Sequence, residues 1–144
     1  MNYMENYERW LHEPKLDADS RRELEAIAGD RDEIEMRFLG NLEFGTGGLR
    51  GTMGAGLNKM NVYTVAQATQ GLAEMIALEG TDAMRRGVVI AYDSRNNSAL
   101  FSETAAAVLS ANGIAVYIFD GVRPTPELSF AIRHLGCIAG INIT

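Results

Sequence analysis

Val88-Val-Ile-Ala-Tyr-Asp-Ser-Arg95 decides how this chain is read. Its first five residues are an unbroken apolar, β-rich run, too short for a helix, which predicts a strand buried on both faces of a sheet. Asp93, Ser94 and Arg95 come straight off its end, and a helix is predicted over about 99–112, closed by Gly113. A second run, Ile114-Ala-Val-Tyr-Ile-Phe119, predicts another buried strand and leads into Asp120-Gly-Val-Arg-Pro-Thr125. Thr125 is expected to cap a helix whose first residue is Pro126 and which runs to about Leu135. Cys137 to Ile143 reads as a third strand. Strand, helix, strand, helix, strand is the α/β pattern: a three-layer domain with a largely parallel (mixed) sheet between helices.

Upstream, Asn61 or Thr64 can cap a helix over 65–79, with Val65, Ala68, Thr69, Leu72, Ala73, Met75 and Ile76 as its apolar face and Gly80 at its end. Residues 1–40 read as a helical N-terminal arm ahead of a domain over 41–144. The arm's first helix is predicted over 2–12, with Tyr3, Tyr7, Trp10 and Leu11 on one side and Pro14 stopping it. Asp17 or Asp19 can cap a second helix through Ala28, with Leu24, Ile27 and Ala28 as its stripe and Gly29 closing it. Asp30 can begin a third, with Ile34, Phe38 and Leu39 at helical spacing. The arm carries 11 acidic and 6 basic residues, against 8 and 7 over 41–144. That charge run reads as a solvated face.

Between arm and helix lies Phe44 to Gly56, FGTGGLRGTMGAG, in which six of thirteen residues are glycine and Arg50 is the single charge. Free backbone N–H groups around one guanidinium fork suit an anion, especially a phosphate. No Gly-Lys-Ser/Thr closes the run, and Arg50 stands where the third glycine of G-x-G-x-x-G would be, so neither standard nucleotide loop is present. A hairpin that uses glycine for its turns explains the composition equally well. Arg50, Arg95 and Arg123 all fall in predicted loops of an otherwise acidic protein, a distribution that suits a small anion. In parallel sheets ligands collect outside the carboxyl ends of the strands, where the 93–98 and 120–125 loops fall. Asp, Ser and Asn also favour such loops simply as capping residues. No His/Cys metal cluster, Ser-His-Asp signature or paired carboxylate motif stands in the sequence, which offers phosphate-binding parts and no nucleophile.

The totals bound the rest. A chain of 144 residues, 47% apolar and 22% charged, is about one globular domain. Its net charge of −6 argues against nucleic acid or an anionic membrane surface as the main partner. One cysteine, Cys137, permits no internal disulfide and, in an apolar run, reads as a buried structural thiol. The polar, acidic start is not a signal peptide and no apolar run spans a membrane, which places the chain in the cytoplasm by default.

Taken in order, Phe44-Gly-Thr-Gly-Gly-Leu-Arg-Gly51, Val89-Ile-Ala-Tyr-Asp-Ser-Arg95, Arg123-Pro-Thr-Pro-Glu-Leu128 and Gly140-Ile-Asn-Ile-Thr144 resemble the first domain of the α-D-phosphohexomutases. The acidic helical arm is most similar to the bacterial phosphoglucomutase/phosphomannomutase branch that includes phosphopentomutase-like members. The resemblance covers about residues 40–144. It implies an intramolecular phosphotransferase interconverting hexose 1-phosphate and hexose 6-phosphate through a phosphoserine and a bisphosphorylated sugar, with Mg2+ holding the phosphoserine. Arg50 is then expected to support phosphoryl transfer, with Thr46, Gly47, Gly48 and Arg95 as phosphate-binding residues. In the family a Thr-Ala-Ser-His-Asn-Pro loop carrying the catalytic serine follows the strand that ends in Ile-Thr, and Thr144 matches its opening threonine. That serine, the metal ligands, the sugar-recognition loop and the C-terminal phosphate-binding domain have no counterpart here. The 144 residues are therefore expected to be an inactive first domain that works with the remaining domains of a longer chain on a phosphosugar. The alternatives are a free-standing phosphosugar-binding module and a structural domain whose glycine loop binds nothing.

Overall fold

The structure, a computed structural model, describes residues 2–144. The described residues divide into two compact units, one ending at residue 64 and the other spanning 65–144.

The first unit holds α1 (Tyr3–Leu11), α2 (Ala18–Ala26), α3 (Arg31–Phe38) and a two-stranded hairpin, β1 (Phe44–Gly45) with β2 (Gly48–Leu49). Each helix begins where a short polar side chain satisfies the free amides of the first turn. Asn2 and Glu5 make a reciprocal capping box, Asp17 accepts from the Ser20 amide, and Asp30 accepts from the Glu33 amide. The apolar stripes meet in a core of Tyr7, Leu16, Leu24, Ile34, Phe38 and Ala55. Phe38 takes edge-to-face contacts from Tyr7 and Trp10, each at 5.7 Å between centroids, and each pair adds about 0.5–1.5 kcal/mol beyond its area. The Tyr7 hydroxyl donates to the Leu24 carbonyl at 2.9 Å, so the one polar atom of that buried ring is satisfied. Leu39 and Ala28, expected on the stripes, are exposed: Ala28 lies beyond the end of α2, and Leu39, still helical in backbone, follows the buried Phe38 by one position and so turns off the inward face.

Chain division falls after Thr64, in the first turn of α4 (Val62–Glu79). The second unit continues with α5 (Thr81–Arg86), β3 (Val88–Tyr92), α6 (Ser98–Ala111), β4 (Val116–Ile118), α7 (Thr125–Leu135) and β5 (Ala139–Ile143). The sheet is parallel throughout, in the order β4-β3-β5, with Val88 beside both Val116 and Ala139. Successive side chains of a strand point to opposite faces, and β3 uses both. Val88 and Ile90 pack with Ala73, Ile76, Ala105 and Leu109 of α4 and α6, while Val89 and Ala91 pack with Leu128 and Ala131 of α7. This is the three-layer α/β arrangement. Fully burying each of Val88, Val89 and Ile90 is worth about 1.5–3 kcal/mol.

Three expectations are corrected here. The second run gives only a three-residue strand, and its Tyr117 and Ile118 are exposed because β4 is an edge of the sheet rather than an interior strand. The third strand starts at Ala139, not Cys137, which is buried against α7's cluster just before it. Met75 is 67% exposed, because it falls outside the arc of α4 that Ala73 and Ile76 turn inward. Burial pushes the Cys137 thiol up, an effect Arg86 partly opposes, so it is an inert structural thiol.

Candidate functional site

The glycine-rich stretch does two separate things. Its first half is the hairpin, with Phe44 opposite Leu49, Gly45 opposite Gly48, and Thr46-Gly47 as the exposed two-residue turn. Gly48 takes φ 115°, which the tight turn requires of it. Thr46, Gly47, Gly48 and Arg50 are thereby gathered on one short hairpin and its outgoing strand. Arg50 is exposed, and its guanidinium has no carboxylate or carbonyl partner among the described residues.

The second half is structural. Ala55 is gripped at both ends of its residue: its amide donates to Glu23 Oε2 at 3.1 Å and its carbonyl accepts from Arg37 Nη1 at 3.0 Å. Arg37, only 11% exposed at its side chain, also donates to Glu23 Oε1 at 2.5 Å and to Glu33 Oε1 at 2.7 Å. Burial alone would lower its pKa, but the two carboxylates outweigh this and hold it above the ordinary value. Gly54 and Gly56 lie so close to this cluster that a Cβ would come within 2.8 Å of Glu23 Oε1 and 2.9 Å of Arg37 Cβ. The arm's charges are thus not all a solvated face. Glu33 and Arg37 stand at i, i+4, a spacing visible in sequence, whereas Glu23 and Ala55 reach them only through the fold.

Asn61 closes the segment. Its Oδ1 accepts from the amides of Tyr63 and Thr64, and its Nδ2 donates to the carbonyls of Gly54, Gly56 and Lys59. Thr64 Oγ1 accepts from the Asn61 amide in return, so Asn61 is the cap of α4 and Thr64 its reciprocal partner.

In the second unit, β3 and β4 are neighbours whose outgoing connections turn to opposite faces of the sheet, α6 to one and α7 to the other. The crevice at such a switch point is where parallel sheets bind ligands. Asp93 organises the first of its loops. Its Oδ2 accepts from the Thr144 hydroxyl at 2.6 Å, and its Oδ1 accepts from the Arg95 amide at 3.0 Å and from Ser98 Oγ at 2.9 Å. These bonds, that from Thr144 foremost, hold the carboxyl below the ordinary range. Arg95 reaches Asp93 only loosely, at 3.5 Å, and 73% of its side chain stays exposed.

Across the crevice Arg123 is fully occupied: it donates to Asp120 at 2.9 Å, pairs with Glu127 at 3.3 Å and lies over the Phe119 ring at 5.7 Å. Its own amide donates to the Tyr92 carbonyl, tying the second loop to the end of β3. Thr125 does not cap α7; Pro124 holds that place, and Thr125 Oγ1 accepts instead from Asn142 of β5. Of the three loop arginines, Arg50 is unpaired, Arg95 loosely paired and Arg123 committed to its own loop. Among the described residues no group of three or more His, Cys, Asp or Glu side chains could hold a metal ion. Among the described residues no helix is long and apolar enough to cross a membrane.

Residues 41–144 match the family model of phosphoglucomutase/phosphomannomutase, alpha/beta/alpha domain I. The chain is 38% identical to the phosphopentomutase of Mus musculus over 142 residues, covering 94% of this chain and 23% of that protein. It is 45% identical to a phosphoglucomutase of Staphylococcus saprophyticus over 113 residues, 78% of this chain and 20% of the relative. It is 35% identical to the glucose 1,6-bisphosphate synthase of Mus musculus over 144 residues, 94% of this chain and 22% of the relative. The chain thus spans between a fifth and a quarter of the length of these curated relatives. No solved structure matches it. With the α/β/α layering, the hairpin ahead of it and the match over residues 41–144 agreeing, the chain belongs to the phosphoglucomutase/phosphomannomutase family.

Proposed function

We propose that these residues are domain I of an enzyme that interconverts hexose 1-phosphate and hexose 6-phosphate. In this reading a phosphoserine on another part of the enzyme gives its phosphoryl group to the free hydroxyl of a sugar monophosphate. The bisphosphorylated sugar reorients and returns its other phosphoryl group to the serine, so no phosphate is lost. Phosphoryl transfer is accelerated chiefly by positioning and by stabilising charge on the transferring oxygens. Arg50 supplies a guanidinium for those oxygens, and Thr46, Gly47 and Gly48 line the phosphate beside it. Arg95, held by Asp93 on the loop after β3, is the second candidate phosphate contact. Mg2+ would supply further charge neutralisation, and since the residues present do not form a site for it, no step here depends on them holding it. The reading also places the enzyme in the cytoplasm.

The observation that carries the proposal is the exposed, unpartnered Arg50 at the foot of a glycine hairpin, in a protein whose other two loop arginines have carboxylate partners. In the full-length enzyme, Arg50→Ala is expected to lower kcat by roughly 10²–10³, the usual effect of removing one donor that meets developing charge. Retention of wild-type kcat would sink the role. The purified 144-residue chain should show no conversion of glucose 1-phosphate, mannose 1-phosphate or ribose 1-phosphate. Turnover by it alone contradicts the proposal. Phosphosugar binding by the isolated chain, abolished by Arg50→Ala and with no turnover in any longer form, would favour a binding module instead.

A further inference from the structure

We infer that the Glu23–Arg37 pair of the acidic arm is a positioning clamp for the Arg50 hairpin. The inference rests on the mutase reading above and gives the arm a part in the reaction that its sequence did not disclose.

The hairpin is exposed at β1 and its turn and only half-buried along β2. Added Cβ atoms at Gly47 and Gly48 would meet nothing within 4 Å, and Phe44 to Gly47 are exposed. Where Arg50 points is therefore set by the two feet from which the hairpin hangs. On the incoming side the Leu42 amide donates to the Leu57 carbonyl at 2.9 Å. On the outgoing side the Met60 amide donates to the Thr52 carbonyl at 2.8 Å, and the Gly54 amide to the Met60 carbonyl at 3.2 Å. Both feet thus stand on one platform, residues 52–60.

That platform is held by the arm. Glu23 and Arg37 take the amide and the carbonyl of Ala55 as a two-point grip, and Ala55 is itself 1% exposed. The Asn58 amide donates to the Arg37 carbonyl at 3.0 Å, and Asn58 Nδ2 to the Met36 carbonyl at 3.3 Å. Gly54 and Gly56 leave no gap between platform and clamp. A two-point, charge-assisted grip on the amide and the carbonyl of one residue fixes direction as well as distance. Glu23 is partly exposed and contributes nothing to the apolar core, so its geometry is directed at the platform. A shift of about 1 Å in a phosphate-contacting guanidinium is enough to slow a reaction roughly 10²-fold.

The test is a double-mutant cycle in the full-length enzyme. Glu23→Gln and Arg37→Lys are each expected to lower kcat about tenfold while KM for the sugar phosphate stays within about twofold. In an Arg50→Ala background the same changes should cost less than about twofold, because what they position is already gone. A role confined to stability would move the unfolding midpoint and leave kcat per folded molecule intact, which would overturn the inference. An undiminished loss in the Arg50→Ala background would overturn it as well and leave the mutase reading standing. An Arg50→Ala enzyme with unchanged kcat overturns both. Should Arg37→Lys fail to fold, Glu23→Gln decides alone, since it leaves Arg37 paired with Glu33.

Discussion

At the scale of single residues, what was legible was the type of side chain and what was hidden was its partner. Arg50, Arg95 and Arg123 stood out alike in the sequence as loop arginines. Only the fold separates them, because Asp120 and Glu127 neutralise Arg123 on its own helix start while nothing comparable meets Arg50. Arg37 was invisible for the opposite reason. Two of its partners, Glu23 and Ala55, are 14 and 18 residues away, and no local period encodes such a meeting. Asp93 makes a local turn by accepting from the Arg95 amide but caps no helix, since α6 starts after Asn97 with no side-chain cap; its bond to Thr144 joins the ends of β3 and β5. Its lowered pKa has a definite consequence for acid stability. A carboxyl whose folded-state pKa is depressed stabilises the fold fully above its unfolded value near 3.9, and that contribution is lost as pH falls through the lower folded value. Asp93→Asn is therefore expected to flatten the acid limb of the stability curve below about pH 4 without changing its slope near neutrality. Urea midpoints measured from pH 7 down to pH 2.5 would show this, and parallel curves for the two proteins would refute it.

For whole elements, periodicity and capping chemistry carried most of the reading. The helix starts at Asp17 and Asp30 and the strand Val88–Tyr92 stand where they were expected, since each depends on residues within a few positions. Ends that depend on neighbours went astray. An apolar run at 114–119 looks the same whether it becomes an interior strand or, as here, a short edge. α4 illustrates how much one cap can do. Asn61 satisfies two amides of its first turn and three carbonyls of the preceding loop, all with one side chain. Asn61→Ala is expected to destabilise the protein by about 2 kcal/mol, the upper end for a lost N-cap, because the loop carbonyls lose their donor too. Denaturant unfolding would measure it, and a loss under about 0.5 kcal/mol would mean that water replaces these bonds freely.

At the scale of the molecule, the family was legible because four short motifs occur in a fixed order, although each alone is common. What the order could not convey is that the arm and the glycine stretch share one core, in which Ala55 sits beside Leu24, Ile34 and Phe38. The sheet of the second unit has two open edges among the described residues, and β4 presents Tyr117 and Ile118 outward. Unpaired apolar edges recruit other strands. The isolated 144-residue chain is expected to self-associate at roughly 100 μM, and Ile118→Lys to shift it toward monomer in sedimentation velocity. A monodisperse monomer for the unmodified chain would count against this. The strand order has one more effect, on biosynthesis. β3, the most buried strand, is translated before either of its neighbours, and residue 88 pairs with residue 139. At roughly 5–20 residues per second the ribosome takes several seconds to deliver that partner. β4 arrives first and can cover one edge, but for that interval the other edge of Val88-Val-Ile90 stays open, so a stretch buried in the finished protein is a binding site for a chaperone while the chain is being made.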